Sequence, residues 1–261
     1  REFQGFSGNS GVLYVVTLMD GTTVMDSGSF AGISPNYRVA GIGDFDGDGV
    51  DDILFHNGVD GDPMASDNQI WFMHASTEIN TIPEVVNKIT IANAHDTAWE
   101  IAGVGDFDGN RKADILVRNK TTGAYIVWMM EGAKLLSYTW LPPVPVPFNN
   151  PNAALDWTVA GIGDFDGDGN SDILLHNAKT GFSQIWFMNG PTVSSMKYTT
   201  TVPDTNWEIV EVGDFNADKK ADILWRHKTL GWNVEWLMNG ATNTQTVGLP
   251  VLSPVWTVGS H

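Results

Sequence analysis

Residues 43–54 read GDFDGDGVDDIL, and three further copies of this stretch organise the chain. The copies begin at Gly105 (GDFDGNRKADIL), Gly163 (GDFDGDGNSDIL) and Gly213 (GDFNADKKADIL). Counted from the first Asp, positions 1, 3, 5 and 9 of every copy carry a side-chain oxygen. A hard cation such as calcium binds about six to eight oxygen ligands. The repeated stretch therefore predicts four cation-binding loops.

Each predicted loop supplies four side-chain ligands and, from position 7, one backbone carbonyl. Glycine at position 6 of loops 1 and 3, Gly49 and Gly169, permits a sharp bend. The predicted ligands of loops 1 to 4 are Asp44, Asp46, Asp48, Val50 and Asp52; Asp106, Asp108, Asn110, Lys112 and Asp114; Asp164, Asp166, Asp168, Asn170 and Asp172; and Asp214, Asn216, Asp218, Lys220 and Asp222. We expect about four calcium ions as cofactors.

Two other structures contain similar Asp-rich sequences, the EF-hand and the solvated turn. An EF-hand needs a glutamate at position 12 and flanking helices. Position 12 here holds Phe55, Val117, Leu175 and Trp225, inside apolar runs typical of strands. A solvated turn explains one Asp-Gly-Asp run equally well. Four copies in one register favour a calcium loop between strands.

The composition limits the classes of partner. A formal net charge of −17 with only 14 Lys and Arg residues disfavours nucleic acid, whose phosphates would be repelled. No apolar run is long enough for a transmembrane helix. The lack of cysteines does not exclude export, because calcium loops can stabilise the fold in place of disulfides. Weak Asp and Asn sites fill where calcium is millimolar, so a secreted or cell-surface location is expected. Because the chain begins at Arg1 without a charged and apolar leader, we expect a mature or excised fragment.

A longer unit of about 50 residues surrounds each loop. It starts with an aromatic residue and an apolar run, passes through the loop into an Asp-Ile-Leu strand, and turns into a strand containing Trp71, Trp128, Trp186 or Trp236. A polar strand ends the unit. Four short strands per unit, repeated in series, favour a β-propeller over a β-solenoid or a string of sandwiches. Core packing is the favoured role of the four tryptophans, with sugar stacking as the alternative.

The chain ends predict the blade count. Residues 255–259 resemble the start of a fifth unit, and the first 30 residues resemble its continuation. We therefore predict an all-β, five-bladed propeller whose last blade combines strands from both termini, which removes exposed edges. The prediction is one domain, 1–261, with approximate blades at 37–98, 99–156, 157–206, 207–255, and 256–261 plus 1–36.

The loop and its flanking strands resemble the FG-GAP repeat of integrin α-subunit propellers and the related VCBS repeats of secreted bacterial and fungal proteins. The pattern of Trp157–Gly190 is most similar to the bacterial version, and the resemblance extends from Tyr37 to Gly259. It implies a calcium-stabilised, extracellular propeller used for binding or adhesion, without naming a ligand. Loops 2 and 4 depart from the all-Asp pattern, so we expect them to bind calcium more weakly.

The ligand site is expected opposite the loops. In a meander, the turns between strands 2 and 3 and the connections between units lie at the same end of the strands, here called the variable end. Length variation concentrates there, in 58–68, 81–98, 141–156, 201–206 and 248–255. Polar pairs at the end of strand 2 either bind a ligand or satisfy backbone groups of the turn. They are His56 and Asn57, Arg118 and Asn119, His176 and Asn177, and Arg226 and His227.

The sequence favours a binding module over an enzyme. It contains no nucleophile elbow, zinc-protease motif or phosphate-binding glycine loop. A glycosidase needs two carboxyl groups about 5–10 Å apart, and the acids outside the loops that could face the axis are Glu100, Glu208 and Glu211. Three hypotheses remain: a lectin-like glycan binder, an adhesin with a macromolecular partner on a cell surface, and a glycosidase. The ligand and the oligomeric state are left open.

Overall fold

The computed structural model describes residues 2–8, 11–20, 23–33, 37–57, 68–74, 84–91, 98–145 and 151–251. The described chain is all-β apart from one short 3-10 helix, Pro151–Asp156. Within these ranges no helix combines the length and hydrophobicity needed to cross a membrane.

Four antiparallel sheets of four strands, here called blades 1 to 4, each contain one predicted loop between their first two strands. Blade 1 consists of β4 (Tyr37–Gly43), β5 (Asp52–Asn57), β6 (Asn68–His74) and β7 (Glu84–Ile91). Blade 2 consists of β8 (Trp99–Gly105), β9 (Asp114–Asn119), β10 (Tyr125–Glu131) and β11 (Lys134–Trp140). Blade 3 consists of β12 (Trp157–Gly163), β13 (Asp172–Asn177), β14 (Phe182–Asn189) and β15 (Thr192–Tyr198). Blade 4 consists of β16 (Trp207–Gly213), β17 (Asp222–His227), β18 (Asn233–Asn239) and β19 (Thr242–Leu249).

The five-bladed prediction is wrong. The described chain contains four four-stranded blades, and the amino-terminal segment forms a three-stranded sheet of β1 (Glu2–Gly8), β2 (Gly11–Asp20) and β3 (Thr23–Ile33). This sheet is made by local hairpins, since Gly8 pairs with Gly11 and Asp20 with Thr23. The carboxy-terminal strand predicted at 255–259 lies outside the described residues. Repeat spacing counts units, but the pairing of two distant partial units is a long-range contact that no local pattern encodes.

The chain divides into two compact units. The first contains Arg1–Thr97 together with Met130–Leu135, and the second contains Ala98–Met129 and Leu136–Ser260. The first unit holds the three-stranded sheet and blade 1, and the second holds blades 3 and 4 and most of blade 2. The prediction of a single domain over 1–261 stays a prediction.

The second strand of each blade forms the centre of the hydrophobic core. The Asp-Ile-Leu run is buried in blades 1 to 3 with no exposed face, so strand 2 reads as a continuous apolar segment rather than an alternating one. Aromatic residues of neighbouring blades meet between the sheets of the second unit: the Tyr125 and Trp186 rings are 5.8 Å apart in a T-shaped contact. Burial of Trp71, Trp186 and Trp236 confirms the core role predicted for these tryptophans.

A β-bulge interrupts the first strand of every blade at the same place. The pairing with strand 2 skips one residue in each copy, after Val39, Ile101, Val159 and Ile209. Glycine follows the bulge in blade 3, where a Cβ on Gly161 would lie 2.2 Å from a Val212 methyl carbon. Neighbouring first strands therefore approach closely, with the bulge setting the direction in which each chain enters its loop.

Candidate metal centres and the variable end of the blades

The first Asp of each loop organises the loop backbone. Asp44 accepts hydrogen bonds from the N–H groups of Gly47 (2.6 Å), Asp48 (3.2 Å) and Gly49 (2.8 Å). Asp164 makes the same three contacts in loop 3. In loops 2 and 4 the corresponding Asp accepts from positions 5 and 6. All four loops thus share one conformation despite their sequence differences.

Two overlapping turns continue this conformation. The position 3 side chain accepts the N–H of position 5, and the position 5 side chain accepts the N–H of position 7, in all four loops. The bend requires a left-handed backbone at positions 4 and 6. Gly49 and Gly169 have φ values of 85° and 92°. Arg111, Ala217 and Lys219 occupy such positions in loops 2 and 4 and also have a left-handed backbone, although they are not glycine. Left-handed backbone in a non-glycine residue is strained by about 1–2 kcal/mol.

The position 9 Asp connects its loop to the third strand of its blade. In loop 3, Asp172 accepts the Phe165 N–H at 2.9 Å through Oδ2 and the Met188 N–H at 2.8 Å through Oδ1. Loops 1 and 4 repeat both bonds. Sequence reasoning treated these residues as ligands only and missed this second role. Because each carboxylate oxygen has two lone pairs, the two bonds leave acceptor capacity for a cation.

Burial of the position 9 carboxylate makes its ionised form less favourable. Burial raises the pKa of Asp172 to about 7; the Met188 and Phe165 N–H groups oppose that rise, and the charges of Asp166 and Asp164 add to it. Burial likewise raises the pKa of Asp52 to about 6. The pKa of Asp222 is raised in loop 4, again chiefly by burial. A bound cation would stabilise the ionised form of each of these carboxylates.

The loops fit a hard dication by donor chemistry. Three carboxylates in each of loops 1 to 3 have ligand atoms within 4.8 Å of one another, at positions 1, 3 and 9. The donors are all oxygens, and their charges are crowded around a buried carboxylate, which is the combination that calcium prefers. These acidic clusters are therefore able to hold metal ions, while occupancy by calcium and the position 7 carbonyl ligands stay predictions.

Adjacent loops of the second unit touch each other. The Ser171 N–H at position 8 of loop 3 donates to the backbone carbonyl of Asp106, the first residue of loop 2, at 2.6 Å. Ala221 in loop 4 donates to Asp164 in the same way, also at 2.6 Å. The first ligand residue of one loop is thus tied to the segment between two ligand positions of the next.

The eight polar residues predicted at the variable end are mostly buried and serve the protein itself. Asn119 accepts the N–H groups of Thr121 and Thr122, and Asn177 accepts two N–H groups of its own turn. His227 replaces Asn in blade 4: its Nδ1 accepts the Leu230 N–H. For these three residues the hydrogen bonds match the alternative in which the pairs satisfy turn backbone. Ligand binding by the eight residues stays a prediction.

The charged members of these pairs connect to neighbouring elements. Arg118 lies 3.2 Å from Glu100 and donates to the backbone carbonyls of Leu155 and Trp157, which belong to the approach to blade 3. His176 Nδ1 contacts the Ser183 hydroxyl at 2.8 Å, and burial lowers its pKa. His56 contacts Asn68, and Arg226 is buried.

Exposed aromatic side chains mark the variable end of blades 2 to 4, and sequence reasoning missed them. Phe182 and Trp232 directly follow the strand 2–3 turn, and Trp140 and Tyr198 end strand 4. Their exposed fractions are 58% for Trp140, 44% for Phe182, 51% for Tyr198 and 52% for Trp232. The sequence signal was available, because Phe182 and Trp232 each follow a turn glycine at the same register.

Each of these exposed rings contacts another aromatic ring. Trp140 contacts Trp99 edge-on with ring centroids 5.5 Å apart. Tyr198 contacts Phe182 at 6.1 Å and the buried Trp157 at 6.4 Å. The supporting ring holds the exposed one in place, so little side-chain entropy is lost when a ligand stacks on it. Parts of the predicted variable segments lie outside the described residues, namely 58–67, 81–83, 92–97, 146–150 and 252–255.

Comparison with known proteins identifies the repeated unit. Residues 106–175 and 164–225 match the model of the FG-GAP-like repeat, a range that includes loops 2 to 4. No curated protein sequence matches the chain.

Several solved structures are similar to this chain at low sequence identity. A lectin from Agrocybe aegerita that recognises non-reducing terminal N-acetylglucosamine aligns with a TM-score of 0.54 and 14% identity over 92% of this chain. The chain spans 61% of the length of that lectin. A Bacteroides caccae protein of unknown function aligns with a TM-score of 0.47 and 10% identity, over 94% of this chain and 71% of its own. The Myceliophteria thermophila Cps50 (Swd1) β-propeller domain aligns with a TM-score of 0.44 and 8% identity. That alignment covers 95% of this chain and 83% of the Cps50 domain.

Proposed function

Because this chain is built from FG-GAP-like repeats on β-propeller blades, we propose that it is a calcium-stabilised binding module that recognises glycans at the variable end of its blades. The observation that carries the glycan assignment is the set of half-exposed rings, Trp140, Phe182, Tyr198 and Trp232, each supported by another aromatic group. A pyranose ring presents an apolar C–H face to an aromatic ring and hydroxyl groups at its edge. Such a ligand gains most where polar groups lie beside the exposed ring.

Blade 4 offers this combination. The Trp232 ring lies 6.1 Å from the His227 ring, which in turn packs 5.1 Å from Trp207. The exposed Asp204 carboxylate lies 3.2 Å from His227 Nε2. The neighbouring Lys228 ammonium is 3.7 Å from the Glu208 carboxylate. The exposed Trp232 ring thus contacts a histidine that is itself paired with an exposed carboxylate, which combines an apolar face with hydrogen-bonding groups for sugar hydroxyls.

Calcium has a structural role in this proposal. When bound, it supplies positive charge to carboxylates that the fold already buries and crowds together. The chain's own residues order the loops, anchor them to strand 3 and tie adjacent loops to each other. Such sites would fill in the calcium-rich space outside cells, so we propose a secreted or cell-surface location.

A binding role is also favoured over catalysis. Two of the acids that a glycosidase would need, Glu100 and Glu208, each pair with a basic side chain in the structure, Arg118 and Lys228. These carboxylates are therefore engaged in ion pairs.

A glycan array probed with the intact protein tests the proposal. We expect calcium-dependent signals that fall at least tenfold in Trp232→Ala or Trp140→Ala. Val86→Ala is the matched control, because Val86 is equally exposed but lies on the outer strand of blade 1. An array that stays silent with calcium present, or signals that all three variants retain, would contradict the glycan assignment.

One observation favours a protein partner as the second candidate. Leu136, Tyr138 and Trp140 alternate along the outer strand of blade 2, and all three are more than half exposed. An apolar row on an outer strand is typical of a protein-binding surface. A silent glycan array, combined with a purified surface protein that loses affinity on Tyr138→Ala, would establish this second candidate instead.

A further inference from the structure

Blade 1 has a side chain beside its loop that differs in kind from those of the other blades. His74 ends β6, the third strand, and its Nε2 lies 3.3 Å from Asp48 Oδ2 and 3.9 Å from Asp46 Oδ2. The equivalent strand ends of blades 2, 3 and 4 carry Glu131, Asn189 and Asn239. Among the four described blades, blade 1 therefore combines an imidazole with two carboxylates.

The loop conformation directs the two free carboxylate oxygens toward this imidazole. Asp46 Oδ1 accepts the Asp48 N–H, and Asp48 Oδ1 accepts the Val50 N–H. The opposite oxygen, Oδ2, faces His74 in both residues. The three ligand atoms lie within 4.8 Å of one another, and all three side chains are open to solvent. An ion can therefore reach them without opening the fold.

The distances match a small transition-metal ion. Tetrahedral zinc with bonds of about 2.0–2.1 Å holds its ligands roughly 3.3 Å apart. The two His74 distances, 3.3 and 3.9 Å, reach this value with side-chain movements of a few tenths of an ångström. Calcium takes oxygen ligands, whereas imidazole suits zinc, copper and nickel.

We propose that Asp46, Asp48 and His74 form a site for a divalent transition metal of the zinc class, present in blade 1 and lacking in blades 3 and 4. The ion takes one carboxylate oxygen from each Asp and the imidazole Nε2, and water completes its coordination. The site adds His74 to two of the predicted calcium ligands of loop 1, Asp46 and Asp48, so it adjoins the all-oxygen group Asp44, Asp46 and Asp52. It does not depend on glycan binding.

The test uses untagged, calcium-saturated protein and two measurements of metal binding. Zinc binding is followed by calorimetry, and cobalt substitution by the visible absorption that distinguishes four-coordinate from six-coordinate cobalt. We expect one zinc ion per chain with at least micromolar affinity. His74→Asn, which installs the residue found in blades 3 and 4, should weaken zinc binding by more than the 10–100-fold that loss of an outer-shell partner costs. His74 is exposed, so the variant should fold and keep its calcium-dependent melting temperature.

A gain of binding in blade 3 is the matched control. Loop 3 has the same sequence as loop 1 at positions 1 to 6, and Asn189 ends the equivalent strand. Asn189→His should therefore add a second zinc ion per chain. Absence of zinc binding by the natural protein, equal binding by His74→Asn, or no added ion in Asn189→His would each overturn the proposal.

Discussion

The buried carboxylate of loop 3 predicts that calcium reverses the pH dependence of stability. The pKa of Asp172 is about 7 in the folded chain against an ordinary value of 3.8, so the folded chain binds this proton more tightly than the unfolded chain. Ionisation of Asp172 lowers the stability of the folded chain. This loss is absent below pH 3.8, grows as the pH rises toward 7, and is complete above pH 7. Metal-free protein should therefore lose stability as pH rises.

The size of the effect follows from the pKa values. Each pKa unit corresponds to about 1.4 kcal/mol. Between pH 5 and pH 8, Asp172 with its pKa of about 7 accounts for about 3 kcal/mol of lost stability. Asp52, with its pKa of about 6, adds about 1 kcal/mol. The sum is a large part of the 5–15 kcal/mol typical of a folded domain.

Calcium should change the sign of this slope. Protons compete with the cation for the same carboxylates, so bound calcium stabilises the folded chain more as pH rises. The assay is urea unfolding of metal-stripped protein at pH 5, 6, 7 and 8, at constant ionic strength, with and without millimolar calcium. We expect the free energy of unfolding to fall with pH in the first series and to rise in the second.

Asp172→Asn is the control for the assignment. The side chain of the variant cannot ionise. Without metal, its unfolding free energy should therefore fall by about 3 kcal/mol less between pH 5 and pH 8 than that of the natural chain. Its amide nitrogen faces a buried N–H donor, of Phe165 or Met188, which adds a cost of about 1–3 kcal/mol that does not change with pH. The variant should therefore gain about 3 kcal/mol on the natural chain between pH 5 and pH 8. His176, whose pKa is lowered, contributes an opposite slope in both proteins. Equal metal-free slopes in the two proteins would refute the reasoning.

The remaining predictions concern two turn glycines, one buried ion pair and the calcium affinities of the loops. Gly49→Ala adds only left-handed backbone strain, because no atom lies within 4 Å of the new carbon, and should lower the unfolding free energy by about 1–2 kcal/mol. Gly181→Ala should cost clearly more when the two variants are compared by calorimetric melting, since its new carbon would lie 1.8 Å from the Val202 carbonyl oxygen; equal losses would contradict this. Arg118→Met removes a buried ion-pair partner and should cost about 3 kcal/mol in urea unfolding, against less than about 1 kcal/mol for the exposed Lys228→Met. Calcium titration of stripped protein should resolve two tighter sites, loops 1 and 3, and two weaker ones, and four equal affinities would contradict the charge argument.

The sequence by itself determined the repeated unit. Asp, Asn and Gly at fixed loop positions encode a local conformation through short-range hydrogen bonds, and the Asp-Ile-Leu run that follows encodes a buried strand. Even loops 2 and 4, whose sequences depart from the pattern, adopt the same conformation, because the position 1 Asp caps their backbone as well. Four acidic loops between strands were therefore predictable from the sequence.

Only the tertiary structure decided which polar groups are already engaged and which rings are exposed. Asn119 and His227 looked like ligand-binding residues, but their turns use their side chains, because backbone groups in a tight turn need acceptors. Trp232 and Trp236 are four residues apart, yet one is half exposed and the other is buried, since the packing of neighbouring elements sets exposure. The blade count was likewise a tertiary outcome: strand pairing between distant chain segments depends on long-range contacts, whereas a repeat pattern records only what each segment does locally.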